Sequence, residues 1–427
     1  MSEHEPRPSA IRRHTCEDAG DAGLLTVQTA RARIVDAIRA VPTVENLRLT
    51  DALFRVLAKD IRAPIPVPMH TNSAVDGYAV ASGHLPATGH KTLAIAGVAY
   101  AGRPAEAAYY EGACIRIMTG AILPPGVDTV IMQEHVQRLD EHRIRIDGRR
   151  QAGQNVRHAG EDITRGAVVL RAGTRLNAAA CGVLASLGIG NAPVRRRPKV
   201  AFFSTGDEIK AAGAVLGPGQ LYDSNRCTLN ALLQTCHVEP WDLGIVPDDL
   251  DRLRAAFQTA AGQADMIITS GGVSVGDSDY TKPVLREHGH IDFWKIAMKP
   301  GRPLTFGRLG ETVFLGLPGN PVAVMVTFLQ FVRPALQALA GEPPTAPLTV
   351  PARIEHAIDK KPGRREYLRA RRRVDAAGQW WVSVAGSQGS GVLTSMTRAD
   401  SFIELPEDNA GVQPGDTVLT QPFAALF

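Results

Sequence analysis

Acidic and basic side chains follow the predicted ends of several strands, where charged groups can bind a metal ion or an oxyanion. The acidic residues form three pairs, Asp207 with Glu208, Asp248 with Asp249, and Asp277 with Asp279. Any one of these residues is more often a helix cap than a ligand, but three pairs at one sheet edge would suit a phosphate-bound Mg²⁺ ion. The basic residues of the same region are Lys295, Lys299 and Arg302. Together these charges predict Mg²⁺-assisted chemistry on a phosphate or another oxyanion.

The stretch from Met266 to Lys282 predicts a phosphate-binding loop. A short apolar strand ends at Thr269, a glycine-rich loop follows, and a helix begins near Tyr280. In open α/β sheets, this order of strand, glycine loop and helix N-terminus presents backbone N–H groups to phosphates.

The same loop also matches the nucleophile elbow of hydrolases, G-x-S-x-G, with Ser274 at its centre. That elbow needs a tight turn straight into a helix, whereas two valines flank Ser274 and the residues from Asp277 to Asp279 extend the loop. An anion-binding loop is therefore the better interpretation. Asp277 stands where the lysine of a P-loop would be, and the loop has no G-x-G-x-x-G motif, so neither nucleotide-binding fingerprint is indicated.

Length and composition exclude several classes of protein. At 427 residues the chain is expected to form roughly three domains. Its 47 basic and 43 acidic residues nearly cancel, which argues against a dedicated nucleic-acid binder. The five cysteines include no CxxC pair, so neither a zinc site nor a disulfide framework is indicated, and reduced thiols favour the cytoplasm. No apolar run suggests a signal peptide or a membrane span.

The N-terminal half predicts a split domain with a β insertion. Residues 1–23 are predicted to be a disordered tail, residues 24–80 and 151–195 a platform of helices and loops, and residues 81–150 a small β domain. The predicted helices are Thr26–Val41, Thr50–Lys59 and Ala178–Leu187, with Thr50 as N-cap and Leu53, Val56 and Leu57 inward in the second. The predicted strands are Leu93–Val98, Cys114–Met118, Thr129–Gln133 and Arg143–Ile146.

Residues 196–342 alternate between strand and helix patterns, which predicts a parallel sheet with helices on both faces. The helices are predicted near Ser224–Gln234, at Asp249–Ala261 with Leu250, Leu253 and Phe257 inward, after the glycine loop to Glu287, and at Pro321–Leu339. A ligand is expected at the carboxyl ends of the strands. The candidate binding residues there are Ser204, Thr205, Gly206, Gly271, Gly272, Ser274, Pro318, Asn320 and Pro321.

Residues 343–427 contain only short strand patterns and predict a small β barrel. One of these strands places five residues on one face by its period of two, namely Arg365, Tyr367, Arg369, Arg371 and Arg373. A solvated edge strand is the default interpretation. An oxyanion site that uses one or two of the arginines is the alternative.

Eight motifs occur in the order of a known family. They are NSAVDGYA from Asn72, RIMTGA from Arg116, GEDI from Gly160, STGDE from Ser204, YDSNR from Tyr222, SGGVSVGDSDYTK from Ser270, KPGRP from Lys299 and LPGNP from Leu317. From about residue 24 to the end, the chain therefore resembles the MoeA family, the molybdopterin molybdenumtransferases, which are counterparts of the gephyrin E domain.

This resemblance implies the last step of molybdenum cofactor synthesis, in which adenylylated molybdopterin and molybdate give the cofactor and AMP with Mg²⁺. It also implies an elongated homodimer whose α/β domain is similar to MogA, the separate adenylylating enzyme, with which a transient contact is expected. Neither a nucleic acid nor a membrane is an expected partner. A gephyrin-like scaffold and a molybdopterin adenylyltransferase are the alternative functions.

The family's functional residues can be carried over only to matching positions. In the first half these are Asp76, Thr119 and Asp162; in the α/β domain Glu208, Asp248, Asp279, Lys295, Lys299, Pro318 and Pro321; and in the barrel Arg369 and Ser390. Glu208, Asp248 and Asp279 are the expected Mg²⁺ residues, and the two lysines are expected to hold phosphate or molybdate. Departures from the family pattern stand at Ile122, Asp277 and Ala323.

Overall fold

The computed structural model describes residues 24–271, Val284 and residues 289–426, so the predicted tail 1–23 and most of the glycine loop lie outside the described residues. The chain forms two compact units. One is Asn46–Val194, and the other combines the residues up to Glu45 with Arg195–Phe427. The chain passes from one unit to the other through the strands Val44–Arg48 and Asn191–Arg195.

A six-stranded sheet dominates the unit Asn46–Val194. Its spatial order is Thr129–Met132, Gly77–Val80, Ala113–Ile117, His90–Ala99, Arg143–Asp147 and Gln137–Arg138. All four predicted strands of this region are present. Alternation along the strands sends side chains to two faces, so that Tyr78 and Val80 lie in one apolar cluster and Ala79 in another. Shorter strands in this unit are Ile61–Arg62, Asn72–Ser73, Val156–Arg157 and Val168–Leu170.

The predicted helix Thr50–Lys59 is wrong. Only the single 3₁₀ turn Leu49–Asp51 forms, with Arg48 rather than Thr50 at the N-cap position. Phe54 has a φ of 60°, which a helix cannot accommodate, and its N–H donates to Leu176 O at 2.7 Å. Val56 and Leu57 are buried as predicted, but Leu53 is 42% exposed. The predicted helix at Ala178 is confirmed as Ala178–Ser186, where the Asn177 side chain accepts from Ala180 N.

The other unit contains a second six-stranded sheet. Its spatial order is Glu239–Val246, Lys199–Thr205, Met266–Ser270, Thr312–Leu317, Pro303–Leu309 and His290–Lys295. The first four strands are parallel, as predicted, whereas the last two are antiparallel to their neighbours. Strand Pro303–Leu309 was not predicted, because proline, glycine and arginine interrupt its apolar pattern. Strand His290–Lys295 is antiparallel to Pro303–Leu309, which is itself antiparallel to Thr312–Leu317, so it runs in the same direction as the four parallel strands. Lys295 therefore lies at the edge where those strands end.

Helices cover both faces of this sheet. The first is Val27–Asp36, which begins as predicted after the N-cap Thr26 but ends before Val41. The others that pack here are Ser224–Thr235 and Leu250–Ala261. Leu253 and Phe257 are buried as predicted, but Leu250 is 39% exposed, because it lies at the first helical position next to the N-cap Asp249.

The longest helix, Pro321–Ala340, contains a π-helical segment at Phe328–Val332 between the α-helical stretches Pro321–Thr327 and Arg333–Ala340. By length and composition it could cross a membrane, but 78% of its apolar window is buried inside the fold. Helices at the core of a folded domain pass the same test.

The last strands close into a barrel, as predicted. Around it run Arg365–Val374, Trp380–Val384, Val350–Ile354, Thr417–Pro422 and Ser401–Leu405, and the last of these pairs again with the first. The interpretation of Arg365–Val374 as a solvated edge is therefore wrong, because the strand has a neighbour on each side and Tyr367 and Arg369 are buried. Thr394–Arg398 is a short helix, and Ile358–Asp359 and Gly411–Val412 form a separate ladder.

A buried polar network joins the barrel to the long helix and to the N-terminal helix. Gln330 is fully buried in the π-helical segment, and its Oε1 accepts from Arg31 at 2.6 Å and from Tyr367 at 3.2 Å. Its Nε2 donates to Gln421 at 2.8 Å, and Gln421 in turn donates to Glu404 at 2.7 Å. Each of these polar groups is satisfied by another, which fixes the packing of the three elements.

Candidate active site

The ends of the parallel strands are tied to the helix that follows the first of them. Ser204 Oγ donates to Asp223 Oδ1 at 3.1 Å, and the same oxygen accepts from Arg226 N at 3.0 Å. Asp223 is thus the N-cap of helix Ser224–Thr235 and is only 4% exposed. The loop that begins at Ser204 therefore starts from a fixed position.

Two glycines let neighbouring strand ends approach closely. Gly271 has a φ of +89°, and a Cβ there would lie 2.8 Å from Thr205 O. Gly206 has a φ of +141°, and the Glu208 carboxylate lies over its open side. Thr205 is 6% exposed, and its Oγ1 has no hydrogen-bond partner among the described residues. A bound ligand would supply the partner that this buried hydroxyl lacks.

Asn225 links two of the predicted loops, although it was not among the predicted site residues. Its Nδ2 donates to Ser270 Oγ at 2.8 Å and to Gly319 O at 2.7 Å. The ends of strands Met266–Ser270 and Thr312–Leu317 are thereby held together. The only sequence signal was its place in the motif YDSNR, which does not reveal which loops it contacts.

The acidic residues divide into loop anchors and exposed carboxylates. Asp207 Oδ1 accepts from Asp248 N at 3.3 Å, which joins two loops, and Asp249 caps the helix that follows it. Glu208 is exposed. Among the described residues no group of three metal-binding side chains lies close enough to hold an ion. Asp279, the third predicted metal residue, lies outside the described residues, as do Asp277, Gly272 and Ser274.

Lys295 and Lys299 are close in sequence but belong to different strands. Lys295 is exposed at the end of its strand, and its backbone O accepts from Leu25 N at 3.0 Å. Lys299 belongs to the short strand Met298–Lys299, which pairs with the barrel strand Arg365–Val374. Its Nζ lies 3.6 Å from Glu366 Oε1.

A barrel loop contacts the start of the long helix. Val322 N donates to Ser390 O at 3.0 Å, just after Pro318, Asn320 and Pro321. Asn320 occupies the N-cap position but makes no side-chain cap hydrogen bond. The turn therefore leads into a helix that begins at Pro321, as predicted, and leaves the Asn320 amide exposed.

Arg369 holds this barrel loop from inside. Its guanidinium is 1% exposed and donates to Ser395 Oγ at 3.1 Å and to Gly389 O at 3.2 Å. The backbone N–H of Arg369 also donates to Gln388 Oε1 at 2.8 Å. Burial lowers the pKa of Arg369 to about 10. In this structure, Arg369 acts on the loop that carries Ser390 rather than presenting an exposed guanidinium.

The predicted residues of the other unit lie on its polar turns. Asp76 Oδ1 accepts from Thr119 N and from Thr119 Oγ1, each at 2.7 Å. These two hydrogen bonds lower the pKa of the Asp76 carboxyl. Asp162 is exposed, and its backbone N donates to Val67 O at 3.1 Å.

We expect the replacement Thr119→Val to raise the pKa of Asp76 toward its ordinary value, because one of its two donors is removed. A carboxyl whose pKa is lowered in the folded state contributes stability above its unfolded pKa and loses it as the pH falls through the folded value. In Thr119→Val this contribution should therefore be smaller, and its loss should be complete at a higher pH. NMR titration of the Asp76 carboxyl carbon would measure the pKa of this group in each variant. Thr119→Ser keeps the hydroxyl and should retain the low pKa; an unchanged pKa in Thr119→Val would contradict the assignment.

Three family models match the chain in order. They are the MoeA N-terminal region (domain I and II) at residues 25–188, a probable molybdopterin binding domain at 201–338, and the MoeA C-terminal region (domain IV) at 351–423. The molybdopterin molybdenumtransferase of Haemophilus influenzae is 40% identical over 409 residues, which are 95% of this chain and 100% of that protein.

A longer relative and a solved structure are also similar. Gephyrin of Dictyostelium discoideum is 32% identical over 88% of this chain and 58% of its own length. The crystal structure of the molybdopterin biosynthesis moeA protein from Pyrococcus horikoshii OT3 matches with a TM-score of 0.81 and 28% identity, covering 93% of this chain and 100% of that one.

Proposed function

The chain belongs to the MoeA family of molybdopterin molybdenumtransferases, and on this premise we propose that it inserts molybdate into adenylylated molybdopterin and releases AMP. The observation that supports the proposal is that Thr205, Gly206, Asp248, Gly271 and Lys295 lie at or just after the ends of strands on one edge of the same sheet. The pterin dithiolene supplies the soft sulfur ligands for molybdenum. The protein then needs cations and hydroxyls for the oxyanion, which this edge provides.

Lys295 and Lys299 are proposed to bind the oxyanion or the phosphate. Thr205, Gly206 and Gly271 would present a hydroxyl and backbone N–H groups to the phosphoryl groups. Pro318, Asn320 and Pro321 would line the opposite side of the edge. Arg369 would keep the loop with Ser390 against this turn, supported by the Val322 N to Ser390 O bond of 3.0 Å.

Mg²⁺ would neutralise charge on the phosphoanhydride when bound. The donor set fits this ion, because carboxylates are hard ligands and Mg²⁺ is usually held by one or two of them together with substrate phosphates and water. Glu208 and Asp248 are the described residues that would hold it, with Asp279 as the third proposed residue. Asp207 would keep the Asp248 loop in place through its bond to Asp248 N.

The resemblance extends the proposal to Asp76, Thr119 and Asp162 as functional residues, to a homodimer, and to transient contact with the adenylylating enzyme. A cytoplasmic location accords with four cysteines that form no disulfide in the described part of the chain. The proposed homodimer and the proposed contact with the adenylylating enzyme rest on membership of the family.

Release of AMP from adenylylated molybdopterin, measured with and without molybdate and with and without Mg²⁺, tests the function. A molybdenumtransferase releases AMP only when molybdate is added. A molybdopterin adenylyltransferase would instead consume ATP and unmodified molybdopterin, and a scaffold would do neither. Molybdate-independent AMP release, or none at all, would contradict the proposal. Wild-type activity in Asp279→Asn would contradict the metal assignment.

A further inference from the structure

Lys299 lies beside the carboxylate of Glu366, which was not among the predicted site residues. Its Nζ lies 3.6 Å from Glu366 Oε1. Lys299 and Glu366 are also register partners in the parallel pairing between Met298–Lys299 and the barrel strand. Because the backbone register sets this neighbourhood, the carboxylate stays beside the ammonium without depending on a flexible loop.

The distance and burial of this pair leave the lysine available to a second anion. A charge-assisted hydrogen bond between an ammonium and a carboxylate measures about 2.7–2.9 Å, so at 3.6 Å the Lys299 donors are not consumed by Glu366. The side chain of Lys299 is 41% exposed, whereas that of Glu366 is 12% exposed. The carboxylate is therefore poorly screened by water, and its field acts on whatever the lysine binds.

A second lysine near Glu366 is already occupied. Lys360 is 7% exposed, and its Nζ donates to Asn409 O at 2.9 Å and to two further carbonyls. Burial lowers the pKa of Lys360, and attraction to Glu366 opposes that shift. Since carbonyls hold Lys360 inside the barrel, Lys299 is the one of these two ammonium groups that reaches solvent.

We propose that Glu366 is a positioning residue that acts through Lys299, as the resident counter-ion against which a substrate oxyanion must compete. The inference rests on the proposed role of Lys299 in oxyanion binding. Glu366 keeps the ammonium oriented when no oxyanion is bound and repels a tetrahedral dianion once it arrives. It therefore weakens oxyanion binding and favours turnover over retention.

Calorimetric titration with molybdate tests this directly, with sulfate as a second tetrahedral dianion. The isosteric change Glu366→Gln removes the repelling charge and should tighten molybdate and sulfate binding by at least about 4-fold at low salt, since two unit charges roughly 5 Å apart interact to that extent even at the dielectric constant of water. The gain should shrink at high salt. Damage to the fold would weaken binding rather than strengthen it.

Glu355→Gln is the matched control, because it removes the same charge from another barrel carboxylate. Glu355 forms an ion pair with Arg373. Arg373 and Glu366 lie near opposite ends of strand Arg365–Val374, roughly 20 Å apart. The affinity of the Glu355→Gln variant for molybdate should equal that of the wild type. Glu366→Asp keeps the charge and should stay within a few-fold of the wild type.

The combination with Lys299→Met decides whether the effect passes through the lysine. In that background the gain from Glu366→Gln should be lost, because without the Lys299 ammonium the oxyanion is no longer held beside Glu366. Unchanged or weaker binding in Glu366→Gln alone, or an equal gain without Lys299, would overturn the inference. A separate measurement tests the proposed function itself. If the wild type showed no molybdate-dependent release of AMP, the proposed function would be wrong, whatever the binding titrations showed.

Discussion

Replacement of Lys299 by methionine should lower kcat/KM for molybdate by about 10- to 100-fold, mostly through KM. A hydrogen bond to a charged group contributes about 1.5–3 kcal/mol, which corresponds to that loss of binding. Methionine keeps most of the length and apolar volume of the stem. Because Lys299 is 41% exposed and its Nζ lies 3.6 Å from Glu366 Oε1, beyond the length of a charge-assisted hydrogen bond, the fold should tolerate the change. The steady-state rate of AMP release against molybdate concentration measures the effect.

Lys361→Met is the control, since it removes the same charge from an exposed barrel residue. Lys299→Arg should recover part of the lost affinity, because it restores the charge with a different donor geometry. If Lys299→Met behaved like Lys361→Met, the assignment of Lys299 to oxyanion binding would be wrong.

The second large effect is on stability. Gln330→Leu should reduce the free energy of unfolding of its unit by about 3 kcal/mol, because buried groups of Arg31, Tyr367 and Gln421 each lose a hydrogen bond to the Gln330 side chain. Burial lowers the pKa of Arg31, and attraction to Tyr367 and Glu404 opposes that shift. Urea unfolding followed by tryptophan fluorescence reports on this unit, since all 4 tryptophans lie in it.

Gln337→Leu is a matched substitution on the same helix. Within the part of the chain that the structure describes, only the backbone of Gln337 makes a hydrogen bond, so we expect a change within about 0.5 kcal/mol. Gln330→Glu should lose less than Gln330→Leu, because it keeps an acceptor for Arg31. A Gln330→Leu protein as stable as the wild type would show that the network does not secure the barrel.

Local sequence patterns predicted the strands and the barrel well, because alternating burial is encoded residue by residue. Strands such as Ala113–Ile117 and Thr129–Met132 lie close to their predicted positions. The false helix at Thr50–Lys59 has an equally regular apolar pattern, but its backbone bonds go to Thr174, Leu176 and Pro193, more than a hundred residues away. Contacts of that range leave no trace in a local period.

The chemistry of the candidate site was predictable in residue type but not in arrangement. Motifs indicated carboxylates, lysines and glycine loops at one sheet edge, and the described ends of the strands bring several of them together. The motifs did not indicate that Arg369 is buried, that Asn225 joins two loops, or that Glu366 faces Lys299. Each of these depends on pairing between segments far apart in sequence.

The most direct test of the account counts molybdenum and AMP in one single-turnover reaction. Adenylylated molybdopterin, molybdate and Mg²⁺ are mixed with excess protein, and the molybdenum bound to the pterin is measured together with the AMP released. We predict one molybdenum transferred for each AMP, and neither product when molybdate is omitted. Release of AMP without molybdenum on the pterin would contradict the central claim that this chain couples the two events.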